Sequence, residues 1–85
     1  MPQDSEVLRS VFTAPPGGVM TDEVGVITGD LELATERIGD EVRVWVRYAG
    51  ADEWYRISAA DCRLHDARDH QPLHSALLAA LHRRD

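Results

Sequence analysis

The sequence contains no lysine and no asparagine, and all 9 of its basic residues are arginine. This bias is typical of GC-rich coding DNA, so each arginine is weaker evidence of selected chemistry than it would be in a mixed composition. Cysteine is nearly absent as well. Cys62 is the single cysteine and excludes a disulfide within the chain, which favours a reducing compartment.

Long apolar runs are also missing. The longest, residues 76–81, is far shorter than the roughly 20 residues that span a bilayer. The first residues lack a basic segment followed by an apolar run, so we expect no signal peptide and a cytoplasmic location. A length of 85 residues predicts one modest core with little room for a deep active-site cleft.

The formal charge of −6 is unevenly distributed. Residues 1–41 carry nine acids and two arginines, whereas residues 42–85 carry six acids and seven arginines. An acidic chain is repelled by a polyanion, so the composition disfavours non-specific binding to nucleic acid.

Residues 1–20 are predicted to form an N-terminal arm, and residues 21–85 a single domain. Val7, Leu8, Val11 and Phe12 have helical spacing, and we predict that the arm is either a short helix or extended. The proline and glycine residues within residues 13–18 interrupt regular structure and predict a flexible joint.

From residue 24 the apolar residues alternate, which predicts an antiparallel meander. Residues 24–28 and 31–35 flank a two-residue turn at Gly29 and Asp30, and a second turn is predicted at Ile38 and Gly39. This pairing places Leu33 opposite Val44.

The strand over residues 42–48 alternates strictly and is followed by a partner strand over residues 53–58. Their pairing places Val46 opposite Tyr55 and Val44 opposite Ile57. A tight turn over residues 58–61 and a short closing strand over residues 62–65 complete the predicted sheet.

Pro72 suits the first turn of a helix, and the residues after it form an apolar helical stripe. We therefore predict an α+β fold. It is a four- to five-stranded antiparallel meander, which can curl into an SH3-like partial barrel, with the C-terminal helix packed on it. The predicted stripe is Leu73, Ala76, Leu77, Ala80 and Leu81, and the predicted core is Val24, Val26, Leu31, Leu33, Val42, Val44, Val46, Tyr55 and Ile57.

The face of the sheet opposite the valines carries two tryptophans and three arginines. Trp and Arg are the residues most enriched at binding hot spots, so this face is the candidate partner-binding site. It fits a protein partner or a second copy of the chain, although the same side chains can satisfy one another across the strands. The candidate residues are Arg43, Trp45, Arg47, Trp54 and Arg56.

Cys62, His65, His70 and His74 have a spacing that has to be weighed as a zinc site, because thiolate and imidazole are the preferred zinc ligands. Cys62 and His65 point to opposite faces of a strand, and Pro72 is expected to separate His70 from the helix that carries His74. We therefore expect solvated linker histidines and neither a metal nor a cofactor.

The sequence has no serine elbow motif and no phosphate-binding glycine loop, so we expect no enzymatic activity. The leading hypothesis is a protein-interaction or regulatory module that self-associates through the Trp/Arg face. The first alternative is a small nucleic-acid-associated barrel that uses the same face. The second is an acidic mimic or antagonist, in which Asp22, Glu23, Asp30 and Glu32 occupy a basic groove on another protein.

Overall fold

Antiparallel strands and one C-terminal helix account for most of residues 4–83, the part of the chain that the computed structural model describes. The predicted α+β class is confirmed. The described strands are β1 (Ser5–Thr13), β2 (Val19–Thr21), β3 (Gly25–Ile27), β4 (Asp30–Ile38), β5 (Glu41–Tyr48), β6 (Tyr55–Arg56) and β7 (Cys62–Arg63), and the helix is α1 (His70–Leu81).

The main sheet has the order β1-β4-β5-β6, with β7 also paired to β5, and it does not close into a barrel within the described residues. β1 pairs with β4 along its whole length, from Ser5 opposite Ile38 to Thr13 opposite Asp30. Of the two conformations predicted for the arm, helical and extended, the extended one is therefore observed over Ser5–Thr13. A helix this short is marginal in water, whereas the β4 edge offers a continuous ladder of backbone partners.

The predicted first hairpin is also wrong. β3 pairs with β2 in a separate two-stranded sheet, because β1 occupies the edge of β4 that residues 24–28 were expected to take. Val24 and Val26 are consequently 52% and 50% exposed and do not belong to the core. Gly18 permits this hairpin to pack closely, since a Cβ there would lie 2.7 Å from the carbonyl oxygen of Ile27.

The β4–β5 pairing differs from the prediction by two residues. Leu33 lies opposite Val46 instead of Val44, and the turn falls at Gly39 and Asp40. A shift of two residues keeps every side chain on its predicted face, because side chains alternate with a period of two. The predicted β5–β6 register is confirmed, with Val46 opposite Tyr55 and Trp45 opposite Arg56.

One face of the main sheet, which we call the inner face, carries the core. Leu31, Leu33, Val42, Val44 and Val46 are buried there as predicted, and Tyr55 and Ile57 pack against them while partly exposed. β1, the residue after it and the β2–β3 sheet add core residues that the sequence did not indicate, namely Phe12, Ala14, Val19 and Ile27.

α1 begins at His70, within two residues of Pro72 as predicted, and packs on the inner face. Its inward side is rotated from the predicted stripe, because Ala76 and Ala80 are exposed and Leu73 is only half-buried. The side chains that face the sheet are His70, His74, Leu77, Leu78 and Leu81. No helix within residues 4–83 is long and apolar enough to cross a membrane.

Candidate interaction surface

The other face of the main sheet, the outer face, brings the predicted site residues together. Antiparallel pairing aligns Arg9, Ala34, Trp45 and Arg56 in one row across four strands. The neighbouring row carries Val7, Glu36 and Arg43, and the row on the other side carries Val11, Glu32 and Arg47. The register therefore places the three predicted arginines and Trp45 on one surface, and it adds Arg9 to them.

Trp45 is held by the arginine opposite it. The Arg56 guanidinium lies over the indole, 4.7 Å from the ring centroid, and forms an ion pair with Asp61. The second carboxylate oxygen of Asp61 accepts a hydrogen bond of 2.9 Å from the backbone N–H of Val44. The Arg56 guanidinium therefore contacts both an aromatic ring and a carboxylate of its own chain.

Trp54 interacts with two arginines. The guanidinium carbons of Arg47 and Arg9 lie 4.5 and 5.5 Å from its ring centroid. Arg47 also donates to Glu32 at 2.7 Å and to the carbonyl oxygen of Ala51 at 2.8 Å. Each cation–π contact contributes about 0.5–1 kcal/mol at an exposed site.

Four of the five candidate residues therefore contact one another or other residues of the chain. This is the alternative in which the side chains of the face form a ladder and satisfy one another across the strands. The Arg43 side chain is exposed and forms no hydrogen bond or ion pair with another described residue. Beside this ladder lies an open groove of about 220 Å³. It is lined by Val7, Arg9, Ala34, Glu36, Trp45 and Trp54. The two tryptophans were candidate site residues, whereas Val7 and Arg9 were not, because β1 was not predicted to join the sheet.

β1 forms one edge of the main sheet, and half of the backbone N–H and C=O groups of β1 point away from the sheet. The N–H of Gly39 donates to Asp4 and that of Ala14 donates to Gly29, so the even-numbered residues of β1 face β4. The odd-numbered residues direct their N–H and C=O groups outward. At Thr13 these groups bond to the two residues that follow α1. The backbone N–H of Arg83 donates to Thr13 O at 2.7 Å, and the backbone N–H of Thr13 donates to His82 Nδ1 at 3.2 Å.

The rest of this edge, Ser5, Val7, Arg9 and Val11, is exposed. Val7 and Val11 are 49% and 68% exposed, so two apolar side chains accompany the outward backbone groups. A second groove, of about 330 Å³, runs between Val11 and α1 and is lined by Leu78, Ala79 and His82. Depressions therefore lie on both sides of the β1 edge.

The histidines of α1 contradict the expectation of solvated linker residues. His70 and His74 are 0% and 6% exposed, and both belong to α1, so Pro72 does not separate them. The Thr35 hydroxyl on β4 lies 2.8 Å from His70 Nε2 and 2.7 Å from His74 Nδ1. A residue 35 positions before His70 and 39 positions before His74 therefore bonds to both imidazoles.

The outer nitrogens of the two rings bond to β1. His70 Nδ1 lies 2.8 Å from Glu6 Oε1, and His74 Nε2 lies 2.8 Å from Ser10 Oγ. Burial, followed by the nearby charge of His70, lowers the pKa of His74 below its ordinary value of 6.5. These five side chains, Glu6, His70, Thr35, His74 and Ser10, are called the histidine relay below.

The relay does not form a zinc site with Cys62 and His65. Cys62 lies on β7 opposite Val42, and His65 is exposed. No group of three or more His, Cys, Asp or Glu side chains among residues 4–83 is placed to hold a metal ion. Ser10 and His74 have the spacing of a nucleophile and its base, but they lie between helix and sheet, and neither lines the two grooves described above.

The acids proposed for the mimic hypothesis are used inside the chain. Glu23 accepts a hydrogen bond of 2.8 Å from the backbone N–H of Arg56, and Asp22 accepts one of 3.3 Å from the backbone N–H of Ser58. Asp30 accepts from Thr13 Oγ1, and Glu32 pairs with Arg47. Each carboxylate therefore has a partner within its own chain.

No family model matches the sequence, no curated protein matches it, and no solved structure matches the fold. The function therefore has to be inferred from the contacts within the chain itself.

Proposed function

We propose that the chain is a non-enzymatic protein-interaction module that self-associates, with β1 of one copy pairing antiparallel to β1 of a second. The observation that supports this most is the outward backbone of Val7, Arg9 and Val11 at the edge of the sheet. Unpaired N–H and C=O groups on an edge strand are a template for a further strand.

The edge already binds extended backbone at one end. His82 leaves α1 in an extended conformation, and the following N–H donates to Thr13. The grooves on the two sides of β1 offer room for the side chains of an added strand. Both features support an extended segment as the ligand of this edge.

A second copy is favoured by the symmetry of the strand. Val7 and Val11 lie two residues on either side of Arg9, so a two-fold axis at Arg9 sets Val7 of one copy against Val11 of the other. This pairing forms about six backbone hydrogen bonds, two for each outward residue pair. The two arginines do not meet at the edge, because each Arg9 guanidinium lies over its own Trp54, across Ala34.

The predicted site residues support this edge from the outer face. Trp54 holds Arg9 away from the edge, and Arg47 positions Trp54 in turn. Trp45, Arg56 and the exposed Arg43 continue the same surface away from the dimer axis. In the dimer, the two outer-face grooves lie on either side of the axis.

Charge favours this function over the nucleic-acid alternative. Glu32 and Asp61 pair with Arg47 and Arg56, which leaves few free cations for phosphate. Two copies of charge −6 repel each other, so raising the salt concentration strengthens self-association. Binding to nucleic acid weakens with salt, because counterions are released.

Sedimentation velocity over a concentration series tests the proposal. Val11→Asp places a charge on the proposed interface, whereas Val26→Asp places the same charge on an exposed valine of β3. We expect a concentration-dependent dimer for the wild type and for Val26→Asp, and a monomer for Val11→Asp. A wild type that stays monomeric at its solubility limit, or equal dimerisation of the two variants, contradicts the proposal.

A further inference from the structure

The Thr35 hydroxyl serves two buried imidazoles with a single hydrogen. It can donate to His70 Nε2 or to His74 Nδ1, both within 2.8 Å, but not to both at once. Only one ring can therefore accept from the hydroxyl, and the other ring has to donate to it or, in the case of His70 Nε2, to the Thr35 carbonyl oxygen at 3.2 Å. The protonation states of the two rings are consequently linked through this hydroxyl.

Glu6 at the outer end of the relay restricts the arrangements further. An ionised carboxylate only accepts hydrogen bonds, so His70 Nδ1 carries a hydrogen. With His70 neutral, Thr35 donates to His70, His74 donates to Thr35, and Ser10 donates to His74 Nε2. With His70 charged, it donates to Thr35, Thr35 donates to His74, and His74 donates to Ser10. Both arrangements satisfy every hydrogen.

We propose that the histidine relay is an acid-sensitive latch, which holds α1 on the sheet while it carries at most one added proton and releases α1 when both histidines are charged. With two added protons, His74 donates to Thr35 Oγ1, and His70 donates to the same oxygen or to the Thr35 carbonyl oxygen. The hydroxyl hydrogen of Thr35 then has no acceptor in the relay, and a buried donor without a partner is costly. Two imidazolium ions also face each other across one oxygen atom.

The charges around the relay also favour release of α1 when both histidines are charged. β1 contributes Glu6 and Ser10, β4 contributes Thr35 and Arg37, and α1 contributes the two histidines. Arg37 Nε lies 4.0 Å from Glu6 Oε1, so this carboxylate already faces one cation before His70 is charged. Among residues 4–83, Glu6 is the acid that hydrogen-bonds to a histidine, and Arg37 pairs with Asp4 at 3.1 Å. Two carboxylates therefore face three positive groups once both histidines are charged. The lowered pKa of His74 agrees with this balance.

The release is confined to α1. The β1–β4–β5 ladder is held by backbone hydrogen bonds that do not titrate, and by a core that lies along the strands. α1 is attached by the relay in its first turns and by Leu77, Leu78 and Leu81 in its last turns. Opening the first turns therefore exposes the helix amides and part of the inner face while the sheet remains folded.

Residue-resolved amide hydrogen exchange, together with ¹⁵N shifts of the histidine rings, tests the latch on the full chain between about pH 8 and pH 5. His74→Gln removes one titrating ring, and His65→Gln is the matched control at an exposed histidine. For the wild type and His65→Gln, we expect α1 amides to exchange about tenfold faster, after correction for intrinsic rates, once the second ring is charged. In His74→Gln this acceleration is absent.

The proposal is overturned if α1 stays protected after both rings are charged, or if it opens with the first proton. It is also overturned if the β4 and β5 amides lose protection together with α1, or if His65→Gln abolishes the response. The wild-type titration decides these outcomes even if His74→Gln does not fold, because the ring shifts and amide rates are read in the same sample.

Discussion

The hydroxyl of Thr35 lies 2.7 Å from Nδ1 of His74, and this bond joins the central strand β4 to α1. Replacing Thr35 with valine keeps the shape of the side chain but leaves His74 Nδ1 without a partner. His70 Nε2 keeps only the backbone carbonyl oxygen at 3.2 Å, which cannot donate to it. We expect the free energy of unfolding to fall by about 2–4 kcal/mol. Urea denaturation at pH 7.5 measures this loss, with Thr35→Ser as the variant that keeps the hydroxyl. An equal loss in both variants contradicts a role for the hydroxyl.

Stability should fall in two separate pH ranges as the pH is lowered, an upper window that depends on His74 and a lower window that depends on Asp4. The folded pKa of His74 is lowered, so the unfolded chain binds protons more readily, and stability falls as the pH drops below the ordinary value of 6.5. Hydrogen bonding and attraction from Arg37 lower the pKa of Asp4, whose contribution is present above 3.8 and is lost as the pH falls below that value.

Two variants separate these windows in denaturation curves measured across the pH range. His74→Gln should flatten the upper window, and Asp4→Asn should reduce the loss in the lower one. An upper window that persists in His74→Gln shows that another group is responsible.

Leu77 packs on the core but is only half-buried. Truncating it to alanine should cost about 1–2 kcal/mol, below the 2–5 kcal/mol that is usual for fully buried leucines. Leu73→Ala is the control, since Leu73 is half-buried and does not pack on the core cluster. Thermal unfolding of the two variants measures the difference, and a larger loss for Leu73 would mean that the helix is anchored through its first turn.

The contact between Trp54 and Arg9 makes a prediction about self-association. Trp54→Ala frees the Arg9 side chain, which can then reach the edge and face its symmetry mate, so the dimer should weaken about tenfold. The double variant Trp54→Ala with Arg9→Ala should recover most of this loss, because the repelling charge is gone. Sedimentation equilibrium gives both constants. A double variant as weak as the single one excludes this explanation.

Alternation of side chains accounts for what could be predicted from the sequence. The β5–β6 register followed from a short loop, and the two-residue error between β4 and β5 left Leu33 on the correct face. β1 was missed because Val7 and Leu8, like Val11 and Phe12, are adjacent apolar residues that fit a helix as well as a strand.

The buried histidines were missed for a different reason. An apolar stripe is read from apolar residues alone, so it cannot place a polar ring on the inward side of a helix. The hydroxyl of Thr35 provides hydrogen bonds to the buried rings of His70 and His74, and no local sequence pattern links residues 35 and 74. Because β1 was not assigned to the sheet, Glu6 and Ser10 were not available as partners, and the free edge beside Val7 and Val11 was not visible either.

Amide exchange along β1, measured at low and at high protein concentration, tests the central claim most directly. The amides of Leu8, Ser10 and Phe12 bond to β4 and should be protected at both concentrations. Those of Val7, Arg9 and Val11 point outward and should exchange freely in the dilute monomer. Pairing of β1 between two copies predicts that these three amides become protected as the concentration rises. Outward amides that exchange equally fast at both concentrations, in a sample shown to be dimeric, would contradict it.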